Sequence, residues 1–176
     1  MKKEFIKLSS VLCLITLVAA LLLSGVNKIT APRIAEAEAK ATEDAMKTII
    51  SDADSFDKLN ESVSVAKKGD EVIGYCVKVT TTGYGGDISM MVGLDTNSTV
   101  CGIEVLSHSE TAGLGAKITE DDFKKKYEGA PIPQNPEDKN QIAVITGATI
   151  SSRGIANGIK MANELVEEAK KEVNSK

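Results

Sequence analysis

Apolar residues fall along this chain in three rhythms. Residues 8–27 carry no charge and are mostly Leu, Val, Ile and Ala. At about 1.5 Å per residue, such a run of about 20 spans the roughly 30 Å hydrocarbon core of a bilayer, and it predicts a transmembrane helix. Over residues 30–50, Ile34, Ala37, Ala41, Ala45 and Ile49 lie near one stripe. That spacing predicts a second helix, with Thr30 as its cap and Pro32 in its first turn. Beyond it come short strand-like runs at 63–66, 72–80, 88–94, 100–106 and 142–145, separated by turn residues. Gly69-Asp70 and Asp95-Thr96-Asn97-Ser98 suit hairpin connections. Residues 121–127 read as a short helix. A long helix is expected from Ser151 to about Glu172, with Ile155, Ile159, Ala162, Leu165, Val166 and Ala169 as its apolar stripe and Lys170-Lys171 near the negative end of its dipole.

The fold class that follows is α+β: a single N-terminal transmembrane helix, then a mostly antiparallel sheet with packed helices. With 176 residues, 42% of them apolar, the chain can support one compact domain plus an appendage. The expected organisation is 1–28 for a cytoplasmic N-terminus and anchor, 29–50 for a connecting helix, and 51–176 for the domain. A cleaved signal peptide is the competing reading of the first segment, but its apolar core is usually about 7 to 15 residues. No small-x-small cleavage site follows this one, and Leu12 before Cys13 does not suit a lipoprotein. Lys2, Lys3 and Lys7 precede the apolar run, so the positive-inside tendency puts the N-terminus in the cytoplasm and the domain outside.

Charge and composition then exclude several functions. A formal charge of -4 without any basic block leaves no nucleic-acid surface, and 3% aromatics without Trp supply no stacking platform. Cys13, Cys76 and Cys101 form no metal-binding spacing with each other or with the single histidine, so no metal site is expected. Strand alternation puts Cys101 with Ile103 and Val105 on an apolar face and Cys76 with Lys78 and Thr80 on a polar one, which argues against a disulfide. Asp52, Asp54 and Asp57 lack the glycine and glutamate of a calcium loop and read as a solvated turn.

Two segments carry candidate chemistry. In the stretch 141–154, an apolar run enters the small-residue turn Thr146-Gly147-Ala148-Thr149 and then a helix. Unpaired N–H groups and the positive end of the dipole converge there, an arrangement that suits an anion. Thr146, Thr149, Ser151 and Ser152 add hydroxyls, Gly147 and Ala148 allow close approach, and Arg153 could add charge. A capped helix start with no ligand explains the same residues. In the stretch 106–117, Gly113 and Gly115 flank Leu114, which could lie against a flat ring. His108, with no paired nucleophile or second ligand, reads as a loop residue, and Glu110 as a hydrogen-bond acceptor rather than a general base.

Taken together, Gly83-Tyr84-Gly85-Gly86-Asp87-Ile88, His108-Ser109-Glu110-Thr111-Ala112-Gly113-Leu114-Gly115 and Thr146-Gly147-Ala148-Thr149-Ile150-Ser151-Ser152 behind an anchor resemble one family. It is that of the FMN-binding subunits of ion-translocating electron-transfer complexes, specifically the G subunit of the Rnf complex. The C subunit of the sodium-translocating NADH:quinone reductase is a more distant likeness. The resemblance implies FMN esterified through its phosphate to Thr149 by a separate flavin transferase. It also implies a cofactor site drawn from Thr146, Gly147, Ala148, Ser151, Ser152, Glu110, Thr111, Leu114 and Gly115, with His108 and Arg153 as further candidates. As its activity it implies a non-autonomous redox subunit of a ferredoxin:NAD oxidoreductase (a translocase) in the cell membrane, partnered by the multispanning subunits. The chain departs from the family pattern at Ala143, where an Asp commonly stands, and at Ala112, where a Pro is common. A flavinylated extracellular shuttle outside any complex and a cofactor-free anchored binding domain are the alternatives.

Overall fold

The computed structural model describes residues 2–174. The chain divides into two compact units, one up to Lys40 and one from Ala41 onward. The described part of the first belongs wholly to helix α1 (Lys2–Ile49). Its large apolar side chains face outward, from Leu8 at 70% exposed to Val18 at 48%. Among the described residues α1 is the one helix long and apolar enough to cross a membrane. Thr30 caps no second helix. Its hydroxyl donates to the Val26 carbonyl at 3.0 Å inside α1, and Pro32 also lies within the helix. An interior proline costs roughly 3 kcal/mol, which the Ala-, Glu- and Lys-rich residues that follow can offset through their high helix propensity.

In the second unit, β1 (Ser55–Lys58), β2 (Val63–Lys68), β3 (Glu71–Thr82), β4 (Asp87–Asp95) and β5 (Val100–His108) form one antiparallel sheet in chain order. Gly69, at φ +59°, and Asp70 make the two-residue turn between β2 and β3. The Asp95 carboxylate accepts from the N–H groups of Asn97 (2.8 Å) and Thr99 (2.7 Å), which shapes the turn between β4 and β5. After β5 come a 3-10 turn (Gly115–Thr119), the short helix α2 (Asp121–Lys124) and a second 3-10 turn (Lys125–Tyr127). The long helix α3 (Thr149–Asn174) begins two residues before Ser151.

Residues 142–145 are not a strand. The Tyr127 hydroxyl accepts from the Ala143 N–H at 3.2 Å, and the Ser152 hydroxyl accepts from the Ile145 N–H at 3.0 Å. Side chains thus take the donors that a neighbouring strand would have taken, and this β-prone run stays irregular. β1 was not visible in the sequence because Ser-Phe-Asp-Lys is a short polar edge segment with only Phe56 half-buried.

Each sheet face carries its own apolar cluster. On one, α3 lays Ile155, Ile159, Ala162, Val166 and Ala169 against Val77, Val79, Met90, Val92 and Leu94, as its stripe predicted. Fully burying an isoleucine contributes roughly 1.5–3 kcal/mol, so Ile155 and Ile159 are principal anchors. At Gly158 the helix comes close enough that a Cβ would lie 2.6 Å from the Met90 sulfur. On the other face, Ala45, Met46, Ile49 and Ile50 at the end of α1 cover Ala66, Cys76 and Met91. The expected separation of the cysteines therefore fails: Cys76 is buried, and both it and Cys101 belong to this second cluster. β3 is covered on both faces near Cys76, and a bulge where Gly93 pairs Gly102 but Leu94 pairs Val100 leaves Cys101 as an extra residue, breaking the alternation.

Candidate functional site

Three segments meet beside the start of α3: the turn 83–86 joining β3 to β4, the loop 109–115 after β5, and residues 145–151. Glu110, only 8% exposed, joins them. Its Oε1 accepts from the N–H groups of Tyr84 (2.8 Å) and Gly85 (3.2 Å), and its Oε2 accepts from the Ser151 hydroxyl at 2.6 Å. Gly83 and Gly115 are glycine for a steric reason, since a Cβ on either would run into this carboxylate. The Glu110 N–H donates in turn to His108 Nδ1 at 3.1 Å.

Between these segments lies a cavity of about 410 Å³. That is within the roughly 300–1,000 Å³ typical of small-ligand sites. It is lined by Glu110, Thr111, Leu114 and Gly115 from the loop after β5, by Gly147, Ala148, Thr149 and Ser151 at the start of α3, and by the more exposed Tyr84 and Ile150. Tyr84 is 72% exposed, Ile150 49% and Leu114 43%, so the opening presents apolar surface that no described residue covers. Gly147, at φ +84°, turns its backbone toward Leu114, whose Cδ1 would lie 3.0 Å from a Cβ placed there. The only charged residue of the lining is Glu110.

The four hydroxyls singled out in the sequence separate here. Ser152 is fully buried, accepting from the Ile145 N–H and donating to the Ala148 carbonyl, both at 3.0 Å. Ser151 is taken by Glu110. Thr146 is exposed and outside the lining. Thr149 is half-buried, lines the cavity, and its hydroxyl has no partner among the described residues. The N–H groups of Thr149, Ile150 and Ser151 head α3, where the helix supplies no acceptors. His108 and Arg153 do not line the cavity, and Arg153 pairs instead with Glu137 at 2.8 Å. Tyr84 and Ile150 were not among the expected site residues; an aromatic set among glycines at 83–86 was the available signal for the first.

A wider opening of about 910 Å³ lies apart, lined in part by Ile132, Pro133, Gln134, Gln141 and Ala143. Ala143 thus faces a different space from Thr149.

Residues 83–164 match the family of FMN-binding domains, and residues 1–49 match the RnfG N-terminal region. Every residue lining the 410 Å³ cavity falls within the first match. The G subunit of the proton-translocating ferredoxin:NAD(+) oxidoreductase complex of Clostridium ljungdahlii is 32% identical over 85% of this chain and 84% of its own length. The chain belongs to the G-subunit family of ion-translocating oxidoreductase complexes. The G subunit of the ion-translocating oxidoreductase complex of Methanosarcina acetivorans is likewise 32% identical, over 93% of this chain and 95% of its own. The Na(+)-translocating counterpart of Acetobacterium woodii is 28% identical over 96% and 95%. A crystal structure of the C subunit of the Na(+)-translocating NADH-quinone reductase from Parabacteroides distasonis aligns over 57% of each chain at 23% identity, with a TM-score of 0.47. As a member of the G-subunit family with an FMN-binding domain, the chain is an electron-transport protein.

Proposed function

We propose that this protein is anchored in the cell membrane by α1 with its domain outside, joins the other subunits of a ferredoxin:NAD oxidoreductase complex, and carries FMN esterified to Thr149. The observation behind the attachment is the state of the hydroxyls: of Thr146, Thr149, Ser151 and Ser152, only Thr149 both lines the cavity and lacks a partner among the described residues. The residues present suit a phosphodiester. Such a group keeps one negative charge, and the N–H groups heading α3 can solvate it without the Lys or Arg that a doubly charged free phosphate favours. The lining contains neither.

When bound, FMN supplies the electron transfer. The protein's own residues do the rest. Thr149 Oγ holds the ester, and the first turn of α3 solvates its phosphate. Leu114, Tyr84 and Ile150 offer apolar surface to a flat ring. Gly147 and Gly115 leave room for Leu114 and for the Glu110 carboxylate, which a side chain at either position would crowd. The apolar helix fits an anchor because its Leu and Val side chains are exposed on all sides. The basic residues ahead of it support a cytoplasmic N-terminus. A separate flavin transferase completes maturation, and membership of a complex rests on the G-subunit relatives.

In-gel fluorescence after co-production with the transferase tests the attachment. Thr149→Val should remove the flavin band from a denaturing gel and Thr146→Val should keep it. The reverse pattern would move the ester to Thr146. Co-purification with multispanning subunits tests membership, and a chain that purifies alone from its native membrane would instead be an independent shuttle.

A further inference from the structure

Glu110 stands in the cavity wall, yet its oxygens are occupied by the protein. Its three partners, the Tyr84 and Gly85 N–H groups and the Ser151 hydroxyl, are all donors. A carboxylate, which only accepts, can take all three, with the Ser151 hydroxyl at 2.6 Å. No salt bridge to Glu110 exists among the described residues. The charge is compensated by hydrogen bonds and by the positive end of α3, through Ser151 in its first turn. Glycines at 83 and 115 make room for it. A neutral amide of the same length could receive the two backbone N–H groups in the same geometry, so the latch does not by itself require a charge here.

We propose that Glu110 is a positioning residue that also acts electrostatically: it latches the 83–86 turn to the start of α3, and its fixed negative charge lowers the reduction potential of the flavin held in the cavity. This rests on the reading that the cavity holds FMN. An electron added to a ring beside a fixed anion is opposed by Coulomb repulsion, and the protein wall screens that repulsion less than water does. The helix end that would solvate the phosphate is shared with Glu110, so two anions draw on one positive terminus.

The test uses the full chain made with its flavin transferase, as wild type, Glu110→Gln and Glu110→Asp, each checked for flavin by intact mass and then titrated potentiometrically. The Gln variant should shift the midpoint potential upward, while the Asp variant, which keeps the charge, should stay nearer the wild type. Equal potentials in wild type and Gln at equal loading would overturn the proposal. So would an Asp shift as large as the Gln shift, which would mean geometry alone. A Gln chain that folds normally but takes up no flavin would also overturn it, placing the charge's role in attachment.

A second readout needs no flavin. In the unloaded chain, amide exchange at Tyr84 and Gly85 should be preserved in Glu110→Gln and should quicken about tenfold or more in Glu110→Ala, as loss of a hydrogen bond to a charged group implies. Unchanged exchange in the Ala variant would remove the latch. A wild-type chain without flavin would strike the FMN reading itself, leaving the exchange result to judge the latch alone.

Discussion

Ser152 looks in the sequence like a hydroxyl offered to a phosphate, but the structure turns it inward as a clasp on the loop that presents Thr149. Its side chain accepts from the Ile145 N–H and donates to the Ala148 carbonyl, both at 3.0 Å, and is fully buried. In Ser152→Ala the Ala148 carbonyl keeps a donor, the Ser152 N–H at 3.0 Å. The half-buried Ile145 N–H loses its partner. An orphaned buried donor costs about 1–3 kcal/mol, and removing one oxygen from a packed site adds little. For a unit of this size each kcal/mol lowers Tm by roughly 3–5 °C. Denaturant unfolding of the full chain in detergent, beside the exposed Thr146→Ala as a control expected within about 0.5 kcal/mol, measures the difference. Covalent flavin should persist in the Ser152 variant. Wild-type stability in Ser152→Ala, or loss of flavin without loss of stability, would refute the assignment of this side chain to the loop.

Gly93→Ala should loosen the end of α1 from the sheet, because its Cβ would run into Ile49; overpacking of this kind costs about 1–3 kcal/mol, and Ile49→Ala in the same chain should relieve it in a denaturation series. Burial, with a smaller contribution from Cys101, pushes the Cys76 thiol up to about 12 from 9.0, and burial pushes the Tyr127 phenol up to about 12 from 10.0. Both groups fold in the neutral form with raised values. The stability they contribute is therefore complete below about pH 9 and is lost as pH rises toward 12, and Cys76→Ala should flatten the alkaline limb of a stability–pH curve. Ala143→Asp should raise the fraction of chains that acquire flavin in a fixed time with the transferase, read by intact mass; an unchanged or lower fraction would show that this departure does not limit modification.

The sheet was largely legible because β2 to β5 combine alternating or apolar runs with turn residues whose chemistry is specific, Gly69-Asp70 above all. The α3 stripe was legible for the same reason, a period that packing then used. Other parts depend on tertiary partners that one sequence does not display. Residues 142–145 have the composition of a strand, but the hydroxyls of Tyr127 and Ser152, distant or inverted in sequence, take their donors. Cys76 shares its strand face with the exposed Lys78 and Thr80 and is itself buried because the end of α1 lies over its part of that face. At the site, Leu114, Gly115, Gly147 and Thr149 were readable as small or flat-contact positions beside a helix start. The division of labour among the hydroxyls was not, since Ser151 is taken by Glu110, 41 residues away in the chain, and Ser152 by the loop backbone at Ile145 and Ala148.

Intact mass of the chain made with its flavin transferase, followed by mapping of the peptide containing residue 149, decides whether a flavin ester sits at Thr149. The expected result is the chain mass increased by FMN less one water, the increment confined to Thr149 and absent from Thr149→Val. An unmodified mass under those conditions, or an increment that survives Thr149→Val, would contradict it.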